Sequence, residues 1–168
     1  VLSVCEGENP WGRIISADKP WSGYFSIGCG LWGAAHFTHF AEKNWKVISS
    51  GNGEEAGDYS VFVSEKGDYS AVFANNSDKP KKYSICVRNI EKADAFIHCV
   101  ETKGPESCDN YSVNWFRLVD KIIPVKKNYG FVYTLEVKPF SIMTCTTLSV
   151  EHVNGIIQSE SLNVKIQF

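Results

Sequence analysis

Short apolar stretches alternate with polar, glycine-bearing breaks at spacings of roughly ten residues along most of this chain, the pattern of many short strands. It is clearest in the middle, where the unit Gly-Asp-Tyr-Ser occurs at 57–60 and again at 67–70, each copy opening a strand. In the second strand Tyr69, Ala71 and Phe73 fall on one face and Ser70, Val72 and Ala74 on the other; Ser64-Glu65-Lys66-Gly67 supplies the hairpin turn before it. Two copies make a meander rather than a solenoid. Further strands are predicted at 23–27, 45–49, 83–88, 95–101, 112–119, 122–126, 131–137 and 141–149. The closing segment 162–168 alternates Leu, Val, Ile and Phe with polar residues, as a half-buried strand does, and at a sheet edge it could pair with another subunit. The segment 31–40 is ambiguous. A helix would put His36 and His39 on one face, whereas a strand would send them to opposite faces. Its small and aromatic residues, and the absence of a third ligand, favour a strand with ordinary packing histidines over a metal site.

About ten to twelve short strands predict an all-β fold: a two-sheet antiparallel β-sandwich, jelly-roll-like, with a closed barrel as the alternative. Gly7, Pro10, Gly12 and Pro20 punctuate the start, so 1–18 reads as an irregular arm ending in a strand and 19–168 as the sandwich domain. At 168 residues and 43% apolar the chain can bury the core of one domain. A formal charge of −2 offers no basic footprint for nucleic acid. No apolar run reaches the ~20 residues that a transmembrane helix needs, and the N-terminus lacks the layout of a signal peptide, so a soluble mature chain is expected.

Six cysteines, Cys5, Cys29, Cys86, Cys99, Cys108 and Cys145, are widely spaced without a CxxC pair, so disulfides are their simplest use and a disulfide-stabilised sandwich is expected. Cys99 and Cys108 flank a turn-rich segment and are one candidate pair, with connectivity otherwise open. Asn75 and Asn110 head Asn-x-Ser triplets in polar, loop-like segments and are candidate glycosylation sites. Together these features favour a secreted, extracellular or lysosomal setting.

No cofactor motif and no GxSxG elbow is present, and no cofactor is expected. Glu54 and Glu55 are adjacent carboxylates in a Gly-rich loop, which reads as solvation rather than a glycosidase pair. Tryptophans can stack on sugars, although a sandwich of this size needs most of its large rings in the core. Trp11, Trp21 and Trp32 are the candidate glycan platforms, with Trp11 expected to be the more exposed ring.

The run KPWSGYFSIGCGLWGAAHFTHFAEKNWKVI, preceded by WGRIISAD and followed by GDYSVFVSEKGDYSAVF, resembles the β-sandwich domain of galactocerebrosidases, glycoside hydrolase family 59. The matching features are Pro20-Trp21-Ser22-Gly23, Trp32 with Ala35-His36, Trp45, and Gly57-Asp58-Tyr59; SVNWFRLVDK and YTLEVKPFSIMTCTTLSV resemble the family's closing strands. The resemblance implies a sandwich that in the family accompanies a catalytic barrel carrying two carboxylates, which cleaves galactose from galactosylceramide, and a lectin-like domain. A TIM barrel takes about 200 residues or more and is not contained in these 168. The family also brings an arginine toward the sugar from the loop that here reads ANNSDKPKK, which has none; Arg88, the nearest, falls within or just after the next strand and is not assigned that role.

The expected function is therefore a non-catalytic secreted module in protein interaction, self-assembly or extracellular assembly. The alternatives are a carbohydrate- or glycolipid-binding module, and a processed piece or subunit of a galactosylceramide-hydrolysing enzyme whose barrel lies on another chain.

Overall fold

The computed structural model describes residues 14–17, 19–27, 29–51, 58–89, 92–103 and 117–149. Among them are eleven strands and one helix: β1 (Ile15–Ser16), β2 (Ser26–Ile27), α1 (Cys29–Thr38), β3 (Lys46–Gly51), β4 (Asp58–Val63), β5 (Tyr69–Asn75), β6 (Lys81–Val87), β7 (Ile97–Lys103), β8 (Arg117–Ile122), β9 (Val125–Lys127), β10 (Gly130–Val137) and β11 (Ser141–Thr146). The six-stranded sheet runs β3-β4-β5-β11-β7-β8, the three-stranded sheet β6-β10-β9, and β1 pairs with β2. Every pairing is antiparallel. Neither larger sheet closes on itself among the described residues, so the barrel alternative is set aside.

The main core lies between the two larger sheets. Tyr69, Ala71 and Phe73 of β5, Ile97 and Cys99 of β7, and Met143 and Cys145 of β11 meet Val87 of β6 and Tyr133, Leu135 and Val137 of β10. Each large side chain buried there contributes about 1.5–3 kcal/mol. The period-two reading of β5 holds, because Tyr69, Ala71 and Phe73 are the residues that enter this core. The turn before β5 also forms as read. Ser64 N donates to Asp68 O at 2.8 Å, Gly67 N donates to Ser64 O at 3.2 Å, and Gly67 takes a φ of 78° that glycine adopts without a Cβ clash. Ser70 and Val72, on the opposite face of β5, are buried as well.

The segment read as a strand at 31–40 is instead helical. Alanine and leucine in α1 are good helix formers, and the cost of Gly30 and Gly33, about 1 kcal/mol each relative to alanine, is offset by packing on the outer face of the six-stranded sheet. Trp32, Ala35 and Phe40 form a second cluster with Val100 of β7 and Leu148, while Phe37 meets Phe62 of β4 edge-on at 6.2 Å. At Gly33 a Cβ would lie 3.6 Å from Ile142 Cδ1, so helix and sheet are in close contact there. His36, wholly buried, ties the helix to two strands: Nδ1 lies 2.7 Å from Thr144 Oγ1 and Nε2 2.8 Å from Thr102 Oγ1.

Two further expectations change. Asn75 lies at the end of β5 rather than in a loop and is 2% exposed; its Nδ2 donates to the carbonyls of Lys79 (2.8 Å), Val137 (3.1 Å) and Lys138 (3.0 Å). The nitrogen that would carry a glycan is thus committed to a strut between the sheets, and in the folded chain it is not an accessible acceptor. Cys99, for which Cys108 was one candidate partner, faces Cys145 across the sheet, sulfur to sulfur at 3.2 Å and not bonded. Cys86 is an exposed free thiol. Cys5, Cys108, Trp11, Asn110, the Glu54–Glu55 loop and the closing strand 162–168 lie outside the described residues.

Candidate interaction surface

The PWSGYF motif forms the outward end of the β1–β2 hairpin, whose register pairs Ile15 with Ile27 and Ser16 with Ser26. A single 3-10 turn, Pro20–Ser22, opens on proline, whose fixed φ suits a first helical position. Ser22 closes it, donating from N (2.8 Å) and from Oγ (2.7 Å) to Lys19 O, while Tyr24 N donates back to Ser22 Oγ at 3.2 Å. Gly23 then adopts φ 75°, the left-handed cap that reverses the chain. This local hydrogen bonding holds three aromatic side chains outside the core: Trp21 is 84% exposed, Tyr24 83% and Phe25 58%. Three neighbouring rings in water are costly for an isolated surface and are well suited to contact another molecule.

Of the candidate platforms, Trp21 is thus displayed, whereas Trp32 is half-buried against the cluster beneath α1 and serves packing. Tyr24 and Phe25 were not singled out from the sequence. Their signal was the pairing of proline at the start and glycine at the end of a tight turn, which displays its neighbours instead of burying them.

Two clefts open between the sheets. One, of about 500 Å³, is lined by Ile48, Tyr59, Phe73, Tyr83 and Arg88 among others. The rings pack on each other, Phe73 against Tyr83 at 4.6 Å and Tyr59 at 6.5 Å, and complete the core. Arg88 follows directly on β6, as its place in the sequence indicates; its Nε donates to Cys86 Sγ at 3.3 Å and its guanidinium lies 5.4 Å from the centre of the Tyr129 ring. The other cleft, of about 630 Å³, has Ile122, Leu135 and Met143 on its walls, with Lys82, Asp120 and Glu136 also lining it. Asp120 and Glu136 are solvent-exposed, and Glu136 sits 3.9 Å from Lys82. Glu101, fully buried, receives a 3.1 Å hydrogen bond from Lys138 Nζ.

His36 is accounted for by its surroundings. Burial pulls His36 down to about 3, so it is neutral at ordinary pH, and both of its ring nitrogens are used by threonines. His39 is exposed at the end of the helix. Among the described residues no three histidine, cysteine or carboxylate side chains converge as a metal site would require. Nor, among those residues, is there a helix long and apolar enough to cross a membrane.

No protein-family model matches the chain. It is similar to galactocerebrosidases: 29% identical to that of Canis lupus familiaris over 162 residues, covering 84% of this chain and 23% of the relative. It is also 29% identical to those of Mus musculus over 84 residues and Homo sapiens over 82, each match covering about half of this chain and 12% of the relative. The chain thus spans less than a quarter of the length of these relatives. Among solved structures it is similar to a GH30 endoxylanase from Clostridium papyrosolvens (TM-score 0.56, 14% identity, 73% of this chain and 28% of that one). It is likewise similar to the MgGH51 α-L-arabinofuranosidase (TM-score 0.58, 15% identity, 79% and 21%). At such identities the likeness is one of fold, and in both cases the fold occupies a minor part of a longer glycoside-hydrolase chain.

Proposed function

We propose that this chain is a non-catalytic β-sandwich module of galactocerebrosidase type that acts by binding another protein surface through the Trp21–Tyr24–Phe25 hairpin, in a secretory, extracellular or lysosomal setting. The observation that carries this reading is the display of three aromatic rings on a turn whose own hydrogen bonds fix them outward. Two facts support it. The sandwich makes up a minor part of the longer glycosidases it resembles, and the carboxylates lining its larger cleft are solvated. The partner is a protein chain with an apolar docking face, either a catalytic unit of a galactoside-hydrolysing assembly or a further copy of this chain.

A second reading has one observation of its own. A tryptophan exposed to this extent beside a tyrosine is also the platform on which the apolar face of a sugar stacks, so a glycan or glycolipid headgroup is the alternative occupant of the same hairpin.

Native mass spectrometry of the wild-type chain and of a Trp21→Ser/Tyr24→Ser variant, with and without galactosides, separates the two readings. A higher-mass protein species formed by the wild type and lost in the variant supports protein docking. A monomer that takes up galactoside only when Trp21 is present supports the sugar platform and overturns the first reading, as would turnover of the galactoside by the isolated chain.

A further inference from the structure

We propose that Cys99 and Cys145 are the two halves of a disulfide that cross-links β7 to β11 inside the six-stranded sheet. The two residues are direct register partners on antiparallel neighbours, both are fully buried, and their sulfurs lie 3.2 Å apart. Direct antiparallel partners have Cα atoms about 4.5–5.5 Å apart, within the roughly 4.4–6.8 Å that a disulfide spans, so closure needs side-chain rotation and no shift of register. The remaining thiol whose surroundings are described, Cys86, sits on the other sheet, exposed and hydrogen-bonded by Arg88. A bond between Cys99 and Cys145 also precludes the Cys99–Cys108 pairing that loop spacing suggested.

The chemistry is exchange with an external disulfide such as glutathione disulfide. One cysteine thiolate attacks a glutathione sulfur and expels one glutathione thiolate; the second cysteine thiolate attacks the mixed disulfide and expels the other. Two electrons pass to glutathione disulfide, and the two protons lost by the cysteines end on the two glutathione thiols. In the folded sheet the hydrogen bond that the Cys145 thiol shares with Cys99, together with burial, holds that thiol well above its ordinary range, so it remains a poor nucleophile there. The bond therefore closes while β7 and β11 are coming together, and once closed it is shielded from reductant.

The cross-link joins residues 46 apart in the chain and fixes the register on which Thr102 and Thr144 both depend to hold His36. A closed loop of that size restricts the unfolded chain substantially.

The test is to unfold and reduce the full chain and refold it with reduced and oxidised glutathione. Remaining thiols are then blocked with N-ethylmaleimide in denaturant, and non-reduced peptides are mapped by mass spectrometry. A Cys99–Cys145 peptide pair, two hydrogens lighter than the separate peptides, is expected, with Tm falling by on the order of 5–10 °C when dithiothreitol is present during unfolding. N-ethylmaleimide on both cysteines, or Cys99 linked to Cys108 or any other cysteine, overturns the proposal. A Cys99→Ala/Cys145→Ala variant provides an independent check: its Tm should no longer respond to reductant, and an undiminished response would also overturn the assignment.

Discussion

His36 Nδ1 lies 2.7 Å from Thr144 Oγ1, joining α1 to a central strand of the larger sheet, while the opposite ring nitrogen engages Thr102 at 2.8 Å. A neutral imidazole serves this geometry, one nitrogen donating to a threonine oxygen and the other accepting from a threonine hydroxyl. Protonation would leave no acceptor on the ring and place a charge in a buried site.

The consequence is a pH-dependent stability of definite sign. His36 falls from 6.5 in the unfolded chain to about 3 in the fold, so below pH 6.5 the unfolded state binds a proton that the folded state refuses. Its contribution is complete above pH 6.5 and is lost as the pH drops toward 3, with a slope of up to about 1.4 kcal/mol per pH unit. His98, lowered by burial and by nearby Lys121, adds a slope of the same sign. Urea unfolding at intervals from pH 7 to pH 4 should show the decline, and a His36→Leu variant should show a flatter one.

Replacing Thr144 by valine keeps the volume but removes one hydrogen-bond partner from a wholly buried ring nitrogen. An unsatisfied polar group of this kind costs about 1–3 kcal/mol. Thermal unfolding of Thr144→Val should register a loss of that order, whereas Thr38→Val, at an exposed helix end, should change stability little.

Most strands were legible in the sequence, because the residues that alternate there do so for a physical reason: each has one face on the core, as Tyr69, Ala71 and Phe73 show in β5. The helix was not. Its buried residues Ala35 and His36, with Trp32 before them and Phe40 just beyond its end, do follow a helical stripe. Phe37 and Leu31 interrupt that stripe with apolar side chains on other faces, and the glycines argue locally against a helix. The sheet supplies the stabilisation that the local sequence lacks. The Trp21 hairpin was visible as a motif, but its direction was not, since exposure depends on the turn at Ser22 and Gly23 and on what the remainder of the chain leaves uncovered.

Asn75 illustrates a motif whose local sequence misleads. Three carbonyls converge on its amide nitrogen, so Asn75→Asp, which puts an acceptor where a donor is needed, should lower stability by on the order of 2–3 kcal/mol. In protein from a glycosylating host, peptide mapping should find position 75 largely unmodified in the folded, secreted fraction.

Gly130 begins β10 with φ 143°, and a Cβ there would lie 2.7 Å from Val87 O and 2.9 Å from Arg88 Cγ. The carbonyl cannot move without disturbing the β6–β10 pairing at Phe131 and Val87. Gly130→Ala should therefore cost about 1–3 kcal/mol, read as a drop in Tm.

The central claim, that this sandwich works by docking on another protein, is tested most directly by the mass of the native particle isolated from its source together with the identity of every chain in it. The account predicts a second protein chain, or further copies of this one, in stoichiometric amount. A lone monomer that binds or cleaves galactosides without any partner would contradict it.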